Sequence, residues 1–255
     1  MNGAEFDFMI LLPALVAGVL VTATHVPLGI QVLSRGIVFI DLAIAQIAGL
    51  GVICADWLGF ESQGWAVQVS ALTAAFAGAL LLTWTEKHWP EVQEALIGVA
   101  FILAASGALI VLAAHPHGAE HLKDLLVGQI LWVDTERLSV VAAVYAVILL
   151  VWFLLGARIG RVGFYLLFAC AVTVSVQLVG LYLVFTTLIV PALATRRLAR
   201  HRLVIAYALG ATGYALGLLT SVMTDWPSGP AIVWVMSALA VIVFAGSPRV
   251  AADAR

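Results

Sequence analysis

Apolar residues run along this chain in long blocks, with most of the charged residues gathered between them. The first block, Phe8 to Leu33, ends at Arg35, and His25 with Pro27 inside it predicts a kinked helix. A second extends from about Ile37 to Leu58, with Asp41 near its start and Asp56 near its end. The third, Trp65 to Thr85, closes on Glu86, Lys87, His88, Trp89 and Pro90. Val92 to Ala114 forms the fourth and gives way to the polar stretch HPHGAEHLKD. A short amphipathic piece, Leu122 to Val133, and the turn DTER lead into the fifth, Leu138 to Gly156. After Arg158 and Arg161 comes the longest uncharged run, Gly163 to Thr195, which ends in Arg196, Arg197, Arg200, His201 and Arg202. Leu203 to Met223, the turn TDWPSGP and Ala231 to Phe244 complete the series. A helix crosses the hydrocarbon in ~20 residues, so the pattern predicts an all-α, polytopic membrane protein.

The long run decides the topology. Its 33 residues contain no Asp, Glu, Lys, Arg or His, too many for one comfortable crossing and few for two. A single crossing would put Arg158 and Arg161 on the opposite side from the Arg196–Arg202 cluster. A turn near Gly180 puts both on one side. Then Arg35, Lys87, Arg158, Arg161, Arg196, Arg197, Arg200, Arg202, Arg249 and Arg255 share the cytoplasmic face, ten of the chain's 12 basic residues. Only Lys123 and Arg137 remain outside, a strong positive-inside bias. Acidic residues, among them Glu5, Asp7, Asp56, Glu61, Asp134, Glu136 and Asp225, collect on the outer face. The expectation is about nine crossings in one transmembrane domain over residues 1–255, with the N-terminus outside and the C-terminus cytoplasmic. The two short halves of the hairpin require protein, not lipid, around the turn.

Composition removes several alternatives. The chain is 64% hydrophobic and 10% charged, with mean hydropathy +1.12, against ~25% charged residues in soluble domains. A net charge of −2 argues against a nucleic-acid partner. Cys54 and Cys170 lie in apolar stretches without CxxC spacing and read as buried small hydrophobes. The N-terminal MNGAEFDF has acids where a signal peptide would be basic. The only lysines, Lys87 and Lys123, do not follow a glycine, so no P-loop is present and any ATP hydrolysis belongs to another chain. HExxH and GxSxG are absent too, which leaves an enzyme reading without a motif and no catalytic residue or bound cofactor to assign.

Polar groups inside the blocks are the candidates for chemistry. Asp41 on FIDLAIAQIAGLG, with Gln46 further in, is either a functional intramembrane acid or an interfacial one that pairs with Arg35 or caps its helix. Glu94 follows Pro90 and Glu91, where an acid suits a helix N-terminus. Ser175 and Gln177 are placed to hydrogen-bond between helices. On the outer face His115, His117 and His121 fall within seven residues, beside Glu120 and Asp124. Imidazole and carboxylate together suit zinc and other first-row divalent ions, and His121 and Asp124 could share a helix face. The spacing matches no closed zinc site, so the choice lies between an open encounter site and an ordinary polar loop. Gly213 and Gly217 form a small-xxx-small pattern that reads as helix packing or a dimer contact.

Several blocks, in order, resemble the membrane permease subunit of zinc-, manganese- and iron-type ATP-binding-cassette importers, the ABC-3 family. They are LSRGIVFIDLAIAQIAGLGV, EVQEALIGVAFILAASGALIVL, HLKDLLVGQILWV, VSVQLVGLYLVFTTLIVPALATRRLA and DWPSGPAIVWV. The resemblance runs from about Ile10 to Phe244, and its last two blocks together are the specific ones. It implies a fold related to cobalamin and siderophore importer permeases, in a bacterial plasma (inner) membrane. It also implies a homodimer, two cytoplasmic ATPase subunits, and a periplasmic or extracellular binding protein that delivers the metal. By that resemblance Ala192–Arg202 would hold a short coupling helix on the ATPase, with Ala192, Thr195, Arg196, Arg197 and Arg200 as the contact set. His115, His117, His121 and Asp124 would face the docked binding protein. Family members usually carry Asp and His four residues apart in the second crossing. Aligned on Gly51, Gln46 takes the histidine position and Leu42 the aspartate position, with Asp41 one residue off. The stretch GARIGRV before Gly163 is short against the family pattern. Import of a divalent metal follows as the expectation, zinc first and manganese or iron next, with a metal chelate as a variant. The alternative of another class is a proton- or sodium-coupled secondary transporter with Asp41 and Glu94 as relay groups.

Overall fold

A computed structural model describes residues 3–60, 64–112, 130–155 and 158–247. Nine α-helices occur among them: α1 (Gly3–Arg35), α2 (Ile40–Trp57), α3 (Trp65–His88), α4 (Gln93–Leu112), α5 (Thr135–Leu155), α6 (Arg161–Val179), α7 (Leu181–Ala194), α8 (Arg202–Thr224) and α9 (Ser228–Gly246). Short 3₁₀ turns, Pro90–Val92 and Ile130–Trp132, precede α4 and α5, and no strand is present among the described residues. Eight of the nine are long and apolar enough to cross a membrane, and α7 is the short one at 14 residues. Its length is roughly 21 Å, against ~30 Å of hydrocarbon.

The helices sort into two packed groups. One contains α2, α3, α4 and α6, and the other α1, α7, α8 and α9. In the first, Gly51 lets α2 approach Ser70 and Ala74 of α3, and Ser70 Oγ donates to the Gly51 carbonyl at 2.8 Å. In the second, Gly213 and Gly217 of α8 lie against Met236 and Ile232 of α9, where a Cβ at Gly217 would sit 2.5 Å from the Ile232 backbone. The small-xxx-small pattern is therefore helix packing within the chain. Gly18 receives the Tyr214 ring, and Gly29 lies directly under the Leu188 carbonyl, which brings α1 hard against α7 and α8.

The uncharged run links the two groups. Its first half, α6, packs on α3 and α2; its second half, α7, packs on α1 and α9. Between them stands one buried residue, Gly180, at φ 84° and ψ 161°, a backbone conformation open to glycine alone. The chain reverses here. Arg161 at the start of α6 pairs with Glu86 near the end of α3 (3.3 Å), and Phe164 lies under Arg35 at the end of α1 (4.2 Å). At the other end of the run, Leu188 of α7 lies on Gly29, two turns before Arg35. Both ends thus share a face, as expected. Protein surrounds the turn and α7, where ten side chains are buried.

Proline positions show how a membrane helix keeps its backbone satisfied. Pro27 lies inside the continuous helix α1 and has no N–H to give to Ala23, four residues earlier. The Tyr207 hydroxyl of α8 donates to the Ala23 carbonyl instead, at 3.1 Å. Ser175 meets the Tyr145 hydroxyl of α5 and donates to Ala171, so the interhelical role expected of it holds. Cys54 and Cys170 are free thiols, half-buried and not core residues.

Candidate functional site

At the start of α2, three polar groups divide the work differently from what their order in the chain suggests. Phe39, the residue before α2, has no side-chain cap of its own element. Its N–H donates to Glu94 Oε1 at 3.2 Å, so the acid in the first turn of α4 caps the neighbouring helix. Asp41 lies in the first turn of α2, fully buried, and neither carboxylate oxygen has a hydrogen-bond partner among the described residues. The pairing with Arg35 does not form, because that guanidinium stacks over the Phe164 ring. Nor does Asp41 cap its helix through a side-chain bond. Glu94 is close enough to interact with it electrostatically. A buried acid whose nearest donors are only the amides of its own turn is costly to keep, and in a membrane helix it marks a functional position by default.

Gln46 takes a separate place. With Ala45, Gly49, Ile53, Ala108, Val176 and Leu181 it lines a cavity of about 10 Å³ where α2, α4, α6 and α7 meet beside the Gly180 turn. That is room for about one water. Asp41 does not line it, so the two path candidates are not brought together. No group of three or more His, Cys, Asp or Glu side chains able to hold a metal occurs among the described residues. The candidates His115, His117, His121 and Asp124 lie outside those residues.

One buried polar residue has more to it than a helix kink. His25 is fully enclosed, with Nδ1 3.1 Å from the Val21 carbonyl and 2.9 Å from Thr24 Oγ1. The carbonyl makes Nδ1 the donor nitrogen and leaves Nε2 as an acceptor, with no partner among the described residues. The signal in the sequence was Thr22, Thr24 and His25 clustered in an apolar block.

At the basic face, α7 ends where Thr195 Oγ1 donates back to the Pro191 carbonyl at 2.7 Å. Residues 195–201 form turns and bends, so the short coupling helix expected there is absent. Leu198 N–H bonds the Thr195 carbonyl, and His201 adopts φ 58°, which stops helical propagation until α8 begins. The proposed contact residues divide by burial. Ala192 and Thr195 are buried and shape the end of α7, whereas Arg196 and Arg200 are exposed. Arg197 and Arg196 lie over the Phe244 ring at 4.0 and 5.4 Å, which ties the segment to the end of α9. Arg202 Nη2 donates to the Ala192 carbonyl at 3.3 Å and closes the turn.

A charged end braced on an otherwise apolar bundle, a reversal inside the protein and a buried acid are the features to set against known proteins. The sequence profile of the ABC 3 transport family matches residues 7–159 and 155–247. The chain belongs to that family. The two matched pieces overlap at residues 155–159. Among relatives, the high-affinity zinc uptake system membrane protein ZnuB of Haemophilus influenzae is 24% identical, over 89% of this chain and 93% of that protein. The manganese transport system membrane protein MntC of Halalkalibacterium halodurans is 25% identical, over 92% and 87%. Among solved structures, PsaBC of Streptococcus pneumoniae in complex with Fab superposes with TM-score 0.74 at 21% identity. That match covers 94% of this chain and 91% of the other, and it establishes the shared fold.

Proposed function

We propose that this ABC 3 family protein is the membrane-spanning subunit of an ATP-driven importer of a divalent metal ion, zinc first and manganese or iron next. ATP is hydrolysed on a separate cytoplasmic subunit, and the chain itself catalyses no reaction. The observation that carries this reading is the family match over nearly the whole length, with relatives named for zinc and manganese. Homodimer assembly, delivery of the metal by an outer binding protein and residence in a bacterial inner membrane belong to the same proposal.

The geometry supports roles for particular residues. Arg196 and Arg200 are exposed cations just after α7, and Arg196 and Arg197 lie over Phe244 of α9; in this reading they meet the ATPase and the stack passes its push into α9. Rigid-body rocking of packed helices then moves the walls of the path. Asp41 and Gln46 stand at two levels of α2, one an oxygen ligand for a cation near the basic face and the other a polar group at the constriction by Gly180. An amide binds zinc more weakly than imidazole, so Gln46 favours passage over retention. His115, His117, His121 and Asp124 are proposed as the outer encounter site.

Uptake of labelled zinc into cells lacking their own permease, supplied with this chain and its ATPase and binding protein, tests the proposal. Restored uptake, with manganese and iron as competitors, is expected; no rescue by any of the three metals refutes it. Reversing Arg196 and Arg197 to Glu is expected to leave ATP hydrolysis running while uptake falls, and unchanged uptake would remove the coupling role. The second reading, a proton- or sodium-coupled transporter with Asp41 and Glu94 as relay, draws on the proximity of those two acids. Transport by the purified chain alone, driven by an ion gradient, would favour it.

A further inference from the structure

The ends of α1, α3 and α6 enclose a hollow that the transport reading does not use. One part, of about 450 Å³, is lined by Arg35, Glu86 and Arg161. The adjoining part shares Arg35, measures about 270 Å³, and adds Gln31, Trp152, Ile159 and Phe164. Arg161 is engaged with Glu86 at 3.3 Å. Arg35 has no carboxylate partner among the described residues; its flat face covers Phe164. The three charges sum to a net +1, and the cation in excess is half-buried. The start of α6 adds to this polarity. Gly160, its N-cap, offers no side-chain acceptor to the first N–H groups, and the N-terminus of a 19-residue helix favours an anion.

What lies beside the hollow identifies the occupant. Trp152 is on the last turns of α5, whose Leu150, Phe153 and Leu154 are all exposed apolar side chains at 60–71%. An anion seated here has exposed apolar surface next to it, and a half-buried tryptophan at the boundary, where an amphipathic ring favours the headgroup level. Basic pockets between transmembrane helices at the cytoplasmic side suit anionic lipid headgroups.

We propose that this hollow binds the headgroup of an anionic phospholipid. Arg35 and Arg161 hold the phosphate, with Arg35 backed by the buried Phe164 ring, Trp152 flanks the glycerol region, and the acyl chains lie along α5. Glu86 sets the strength of the site by offsetting one of the two arginines.

The test is native mass spectrometry of the purified full-length chain titrated with phosphatidylglycerol or phosphatidylcholine, with inorganic phosphate as a control. One charge near the surface is worth about a fivefold change in affinity. The wild type should prefer phosphatidylglycerol by about fivefold, Arg35→Gln should abolish the preference, and Glu86→Gln should raise it to roughly 25-fold. The gain in Glu86→Gln is a readout that loss of folding cannot produce. Equal retention of the two lipids by the wild type, or a preference that neither substitution moves, overturns the proposal. Displacement of the lipid by millimolar inorganic phosphate would overturn the lipid as occupant and assign the site to a free anion.

Discussion

Helices α5 and α7 are both apolar, both free of charge beyond their ends, and opposite in what surrounds them. α5 has 21 residues, and only Tyr145 and Ile148 among them are buried. α7 has 14 residues, and ten of them are buried. The helix left exposed by the chain is long enough to span the full thickness, since lipid cannot satisfy a backbone that ends early. The other ends early without penalty because α1, α8 and α9 wall it in and Gly180 turns the chain inside the protein. Crossing length is thus set by the neighbour, not by hydrophobicity.

The contrast can be broken at its tightest point. Gly29→Val drives a branched side chain into the Leu188 backbone, which cannot yield as a side chain would. Separation of α1 from α7 is expected, with a loss above the ~1–3 kcal/mol typical of overpacking, read as loss of a folded, monodisperse species in detergent. Gly180→Ala comes next: a Cβ at φ 84° should cost about 1–3 kcal/mol, seen as a lower thermal midpoint with reduced uptake. A midpoint equal to wild type would show that the reversal is not held by glycine. Tyr145→Phe removes the link from α5 to Ser175 and should cost about 0.6 kcal/mol, at most ~1.7. Leu150→Ala, on the exposed face of α5, should stay within about 0.5 kcal/mol. If Leu150→Ala cost as much as Gly180→Ala, α5 would have a protein neighbour that the isolated chain lacks.

Orientation sharpens the same comparison. Gly180 is buried, so a reporter fused there, the obvious choice from the sequence, would break the bundle it was meant to map. Single cysteines at exposed Trp226 and Arg200 serve instead. Labelling by an impermeant thiol reagent is expected at Trp226→Cys from outside and at Arg200→Cys only after the membrane is opened; the reverse pattern would invert the topology.

The candidate site was legible only in part. Asp41 stood out because a charge in an apolar block is conspicuous, but its lack of a cationic partner depends on Arg35 turning toward Phe164, a residue 129 positions from that arginine in sequence. Glu94 read as an acid suited to the N-terminus of its own helix and stands there, but its bond to the start of α2 was not legible, since the amide it meets is 55 residues distant. The stretch Ala192–Arg202 stood out by its arginines, whereas its turn conformation follows from Thr195 and His201, which composition does not reveal.

By itself the sequence determined what covalent order and local hydrophobicity can determine. It specified where helices start and stop, which ends carry the basic residues, and that the uncharged run must reverse near its only glycine between Gly163 and Thr195, Gly180. Tertiary structure decided which helix the chain leaves exposed and which it walls in, and therefore which could be short. It also decided that Asp41 and Gln46 stand apart and that Arg35 is the cation left in excess at its hollow. The reason is physical: free energies of transfer act residue by residue along the chain, but burial of a charge depends on groups that only folding brings near it.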